Sequence, residues 1–432
     1  MLLMLSATTV WMATLKASAQ TVYEIIKNSR NFAAGNYSVY PDSVQHQMTL
    51  PPDGKRPFYI SHYGRHGSRY LSNRIGFDIP YKMLCRADSM GELTEVGKKV
   101  LEKASLILED SENRWGDLTY VGKQQHRGIA VRMMENFPEV FEGNARIDAK
   151  STVVTRCILS MGAALETMAN RNPGLNISIQ ASMNDMWYMN YQDKFLRKNG
   201  MTPEAKKVYD SFQEKRKHNP RLMKLLFLHP DSVRTVVDES ELNYYLIKMG
   251  LLLSNTHMSD DTYLVDLFNT EEIYRYWQIE NVWWYIMHGA TPLNGGHQPY
   301  TQRHLLRRLI AEADSCFQFE RPGVQLRYGH ETVILPLTCL LGINGFDFET
   351  DNLEDLEPHG WVASMVYPMG TNIQFIFYRD GIDDDDIVFK VLLNEKEAML
   401  PIATDIAPYY HWKDFRKHYL NKLDEYEKLR KN

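Results

Sequence analysis

Hydrophobic periodicity changes twice along this 432-residue chain, and the two changes restrict its possible folds more than any other feature. Phe58-Tyr59-Ile60 reads as a short buried strand running to His62-Tyr63-Gly64, and residues 146–154 and 176–180 carry strand patterns of their own. Between the last two, Ile158, Met161, Leu165 and Met168 recur at helical spacing. From about residue 185 to 319 the period is helical almost throughout, with many Tyr, Trp and Met residues. Strand character returns at 373–378 and 387–393. These flank Arg379-Asp380-Gly381-Ile382 and the acidic run 383–386, which together predict a hairpin with a solvated tip. The run lacks the ligand spacing of a calcium loop. Trp412, Phe415, Tyr419, Leu423 and Tyr426 mark an amphipathic terminal helix. The expected fold class is α/β, with a mostly parallel central sheet flanked by helices. Its core is read as residues 20–184 and 320–432, with a helical cap inserted as residues 185–319.

Composition narrows the function classes. The formal net charge is −5, which argues against a general nucleic-acid or anionic-membrane binder but leaves room for a small basic pocket. Four widely separated cysteines make no C-x-x-C pair; Cys157 and Cys339 sit in apolar helical patterns and read as free buried thiols. Residues 1–15 carry no charge, Lys16 follows, and Ala17-Ser18-Ala19-Gln20 suits leader cleavage after Ala19, so residues 1–19 are read as a signal peptide and the protein as exported, periplasmic or extracellular. Elsewhere no stretch approaches the ~18 apolar residues of a membrane helix. Gly91-Glu92-Leu93-Thr94 to Lys98 echoes Gly116-Asp117-Leu118-Thr119 to Lys123. In each copy the Thr is expected to cap a helix and the following Gly to allow close packing.

The chemistry concentrates after the first strand. In Arg65-His66-Gly67-Ser68-Arg69 a strand runs into a Gly-containing turn and helix, which presents backbone N–H groups to an anion. Two guanidinium groups four residues apart can close on one phosphate, holding the imidazole between them as a nucleophile toward phosphorus. Arg156 lies at a second strand-to-helix junction and can face the same sheet end. Gly329-His330-Glu331-Thr332 precedes an apolar helix; His330 can donate to phosphate oxygens and Glu331 can protonate a leaving alcohol. A zinc-protease H-E-x-x-H is excluded because Ile334 occupies the second histidine position.

The set Arg65-His66-Gly67-x-Arg69, Arg156 and His330-Glu331 resembles the histidine acid phosphatases, branch two of the histidine phosphatase superfamily, and within it the bacterial multiple inositol polyphosphate phosphatases. Leu118-Thr119-x-x-Gly122-x-x-Gln125, Leu335-Pro336-Leu337, Pro368 to Phe375 and Val391-Leu392-Leu393-Asn394 resemble further family motifs. Two positions depart from the pattern. Leu71 replaces the proline of R-H-G-x-R-x-P, and Glu331 follows His330 directly where inositol polyphosphate phosphatases typically read H-A-E.

The resemblance implies His66 as nucleophile, Glu331 as proton donor, and Arg65, Arg69, Arg156 and protonated His330 as phosphate-binding groups. No metal and no cofactor are expected, because arginines supply the positive charge. The expected partners are anionic small-molecule phosphate esters, inositol polyphosphates such as phytate above all, with no nucleic acid and no membrane span. Ser72 and Asn73, just past the phosphate loop, and Lys123, His126 and Arg127, after the Leu118-Thr119 helix start, are candidate substrate contacts. A broad acid phosphatase, a sugar-phosphatase and a non-hydrolytic phosphate-binding protein remain alternatives.

Overall fold

Arg56–Arg65 forms strand β1, buried at every position but the first and third. Such a segment needs cover on both faces and neighbours on both edges. It has both. The computed structural model describes residues 20–41 and 48–431, and the expected leader at 1–19 lies outside them. The remaining strands are β2 (Arg146–Ser151), β3 (Asn176–Ala181), β4 (Gly323–Gly329), β5 (Asn372–Arg379), β6 (Val388–Leu393), β7 (Lys396–Ala398) and β8 (Tyr410–His411). They form one sheet in the order β3-β2-β4-β1-β5-β6-β7, with β8 also paired to β6.

The α/β class is as expected, with one correction to the sheet. Strands β1 to β4 pair in parallel, whereas β5, β6, β7 and β8 join by antiparallel pairing, so the sheet is mixed. The reason is connection length. Parallel neighbours need a helical crossover, while β5 and β6 are joined by the loop 380–387 and β6 and β7 by a tight turn. Asn394 and Glu395 turn β6 into β7 with φ of 52° and 64°, as a two-residue hairpin requires. Strand β4 was not apparent from the sequence, although Val324, Leu326 and Tyr328 alternate with more polar residues. Asp384 is not part of a merely solvated tip, since it accepts from Lys55 and from the backbone N–H groups of Asp380 and Asp386.

Alternation along β1 divides the core. Tyr59 and Tyr63 join one buried cluster with Leu305, Leu337, Phe377 and Tyr419, under the helices Arg303–Cys316, Glu331–Leu341 and Trp412–Lys431. Ile60 faces the opposite cluster with Met133, Met161 and Leu326, covered by Tyr120–Asn136 and Thr155–Arg171. A third cluster is mainly helical, drawn from residues 22–37, 71–108 and 222–277, and it reaches the strand ends through Leu71 and Met369. Residues 188–212 and 282–316 pack instead on the first sheet face. Among the described residues no helix is long and apolar enough to cross a membrane.

Gly323 starts β4 with φ +70°, and an added Cβ would stand 2.0 Å from the Arg146 carbonyl oxygen at the start of β2. Neither backbone can yield without parting the strands. Gly323→Ala is expected to cost about 2–4 kcal/mol, read as a lower urea midpoint for the full chain. An unchanged midpoint would show that this strand junction is not tight.

Candidate active site

Parallel pairing of β1 with β4 sets Arg65 opposite Gly329, so His66 and His330 leave the sheet side by side. The His66 N–H donates to the Gly329 carbonyl at 3.0 Å, and the two imidazole rings meet edge-on at 5.7 Å. A Cβ on Gly329 would meet the Tyr63 hydroxyl, which donates to the Met189 carbonyl, so a larger residue there would have to displace that ring. His330 is the extended residue before the helix Glu331–Leu341, which makes Glu331 its first helical residue. The acid therefore sits at a positive helix end, beside the histidine pair.

The loop after β1 rests directly on the helix Tyr120–Asn136. A Cβ on Gly67 would be 2.4 Å from the Gly122 carbonyl oxygen, and one on Gly122 would be 2.3 Å from that of Ser68. Thr119 caps this helix by accepting from the Gly122 N–H, as Thr94 does for Gly97, so both copies of the sequence echo behave as expected. Gln125 accepts the Ser68 N–H and donates to the Ser68 hydroxyl, and that hydroxyl donates to Asn255. Ser160 accepts the Gly67 N–H. Leu71, two positions past Arg69, is buried in the helical cluster, and its carbonyl accepts the Gly116 N–H. Packing thus holds the chain at this position.

Arg65 is fully buried. It donates from Nη1 to the carbonyls of Asn36 and Tyr367, and its Nε lies 3.0 Å from Glu331 Oε2. Arg69 donates to its neighbour's carbonyl at Tyr70 and to the Tyr37 hydroxyl. Arg156 is half-buried near Gly116. Buried polar nitrogens without hydrogen-bond partners gather here: Arg65 Nη2, His66 Nε2, Arg69 Nε and Arg156 Nε. Such groups concentrated at one point fit an anion.

The charges act on one another. Burial, with Arg65, Arg69, Arg156 and His330 around it, holds His66 well below the usual imidazole range. Its Nδ1 lies 2.9 Å from the Gly67 carbonyl, so the neutral ring donates there and turns an unprotonated Nε2 toward Glu331 Oε2, 3.8 Å away. Burial raises the Glu331 carboxyl, but Arg65, Arg69 and His330 outweigh it and bring it to about 2. Burial, opposed by Glu331 and reinforced by the arginines, takes His330 down to about 4. Without a bound anion His330 is therefore neutral at ordinary pH, through burial first and the three guanidinium groups second. Donor atoms of His66, His330 and Glu331 lie within 4.8 Å of one another, close enough to chelate a cation. The adjacent guanidinium charges oppose a cation and favour an anion.

The outer candidates fare differently. Arg127 is committed to Glu166 at 2.8 Å on the neighbouring helix. His126 is buried against Tyr328, and burial holds it down to about 3, so it supports the loop from below. Asn73 accepts the Ile75 N–H at a helix start, Ser72 is exposed beside Gly116, and Lys123 is exposed on the helix under the loop. The sequence reading missed Asn36, whose Nδ2 donates to Glu331 Oε1, and also Tyr37, Thr152 and Tyr367. Asn36 and Tyr37 also open onto a cleft of about 500 Å³ walled by Tyr244, Tyr245 and Trp283. A second cleft of about 240 Å³, with Arg197, His288 and Thr332, lies on the other side of Trp283.

A family model described as the histidine phosphatase superfamily (branch 2) matches residues 64–394. Among solved structures the chain resembles the multiple inositol polyphosphate phosphatase of Bifidobacterium longum in complex with inositol hexasulfate, with TM-score 0.74 and 15% identity over 88% of this chain and 96% of that one. It also resembles the D. castellii phytase, with TM-score 0.68 and 15% identity over 91% and 85%. For the Hafnia alvei phytase in complex with myo-inositol hexakis sulphate the TM-score is 0.53, at 14% identity over 86% and 98%. No curated protein matches the sequence.

An anion held among the arginines offsets their field and lets His330 take up a proton. A group whose pKa is higher in the complex than before binding makes affinity rise as pH falls, until the lower value is reached. Sulfate, whose own charge is constant in this range, is thus expected to bind more tightly as pH falls from about 7 toward 4, by up to about tenfold per unit. Calorimetry should find that slope flattened in His330→Gln, and tighter binding in Glu331→Gln, where a repelling carboxylate is lost. A flat or opposite slope in the parent protein would contradict the charge balance described.

Proposed function

The chain belongs to branch 2 of the histidine phosphatase superfamily and is an enzyme of the histidine acid phosphatase kind, and from that premise we propose that it hydrolyses inositol polyphosphates through a phosphohistidine formed on His66. The observation that carries the reading is the neutral, buried, unpartnered Nε2 of His66, set among Arg65, Arg69 and Glu331. Arg65, Arg69, Arg156 and His330 hold the non-bridging oxygens, and their fixed charge stabilises the transferring phosphoryl group. Nε2 forms its bond to phosphorus as the ester P–O bond breaks, and the departing oxygen takes the proton of Glu331. Phosphate charge among the arginines relieves the pull that keeps Glu331 ionised, so its proton arrives with the substrate. The carboxylate left behind then takes a proton from water attacking the phosphohistidine, which releases inorganic phosphate and restores both residues.

The fold likeness to phytases and to an inositol polyphosphate phosphatase supports the substrate class. A sugar-phosphatase is the second reading, favoured by the aromatic cleft beside the site. Export belongs to the proposal on the strength of the uncharged first fifteen residues and the Ala17-Ser18-Ala19 pattern.

His66→Ala is expected to lower kcat for phosphate release by at least about 10⁴-fold. Glu331→Gln is expected to lower kcat chiefly and to alter the pH–rate profile. Alkali-quenched Glu331→Gln protein, fed an aryl phosphate whose leaving group departs without a proton, should carry phosphate on His66. Substantial turnover by His66→Ala, or no hydrolysis of phytate, inositol trisphosphate, glucose 1-phosphate or an aryl phosphate by the parent chain, would overturn the proposal.

A further inference from the structure

The cleft next to the phosphate site does not have the charge that a densely phosphorylated ring demands. Each phosphate monoester brings about −1.5 to −2 near neutral pH, so every phosphate beyond the one being cleaved needs cationic company. The cleft lining offers Lys217 and Lys248 against Glu241 and Glu280. Lys217 is already paired with Glu214 at 2.6 Å, and Lys248 donates to the Tyr244 hydroxyl while lying over the Tyr37 ring. Glu280 accepts from the Tyr244 hydroxyl at 2.7 Å, and its charge reaches the hydroxyls of Tyr209 and Tyr276. A carboxylate within a tyrosine wall repels phosphate oxygens and welcomes hydroxyl donors. The aromatic faces suit the C–H side of a saturated ring.

We propose that this cleft receives a hydroxyl-bearing face of the leaving-group ring, with Glu280 as a specificity-determining acceptor, so that the enzyme prefers inositol phosphates with few phosphates to phytate. The inference rests on the phosphatase reading above. Asn36 and Tyr37 supply the continuity, since both line the cleft while touching Glu331 and Arg69 respectively. The alcohol of a phosphoryl group at His66 thus has a continuous path into the cleft. A ring hydroxyl there finds an acceptor at Glu280, and a phosphate in the same place meets that carboxylate in a lining whose two lysines are matched by two glutamates.

The test compares kcat/KM of the full chain for inositol monophosphate, inositol trisphosphate, phytate and phenyl phosphate, without added metal. The expected order has both lower inositol phosphates ahead of phytate by about tenfold or more, and Glu280→Gln is expected to shrink that advantage about tenfold. Tyr245→Leu, which removes one aromatic face, is expected to raise KM for the monophosphate more than for phytate and so serves if the Gln variant does not fold. Phytate ranking first, or ratios unmoved by both variants, would overturn the inference while hydrolysis of phenyl phosphate still upheld the phosphatase. Failure to hydrolyse any of the four would instead remove the reading on which it rests.

Discussion

Like charges forced together underlie the whole arrangement. Arg65, Arg69 and Arg156 converge with a single carboxylate, Glu331, in a place from which water is largely excluded. Repulsion shows in Arg65 itself, which burial and its two arginine neighbours hold down to about 10 although Glu331 opposes them. Such a cluster persists only where the surrounding backbone fixes it. Carbonyls of Asn36, Tyr367 and Tyr70 do so, and they come from three separate stretches of chain. The 3-10 segment Arg30–Tyr37 and the loop before β5 are therefore parts of the site, even though they bring little reactive chemistry of their own.

This division explains what could be read from the sequence. Arg65 to Arg69 and His330-Glu331 were legible because reactive side chains sit within a few positions of one another at strand-to-helix junctions. Asn36 and Tyr367 were not, because their hold on Arg65 is through the backbone, which carries no residue signature. Arg127 faces Glu166 on the neighbouring helix, a pairing across thirty-nine positions that no local pattern announces. Strand β4 was hidden for a related reason. Strand β4 is buried between β2 and β1, and its Arg327 pairs with Asp148 and Glu312, a charge that masks a core strand in the one-dimensional pattern.

The direct His330-Glu331 sequence also acquires a physical meaning. The acid enters at the first turn of its helix, and its carboxylate spans Arg65 and Asn36 at once. Its proton affinity is thereby tied to the charge state of the phosphate pocket. One electrostatic field acts on His66, Glu331 and the arginines around them together.

The contact between Gly67 and Gly122 carries a consequence for how such an enzyme diversifies. Where backbone rests on backbone there is no side chain whose size can be adjusted, so the reactive loop is closed to gradual retuning by substitution at that junction. The helical residues around Tyr244 and Glu280 are under no such restriction, since they line the cleft with side chains. Change in what is hydrolysed is thus channelled into one layer of the molecule, while how it is hydrolysed stays locked in another.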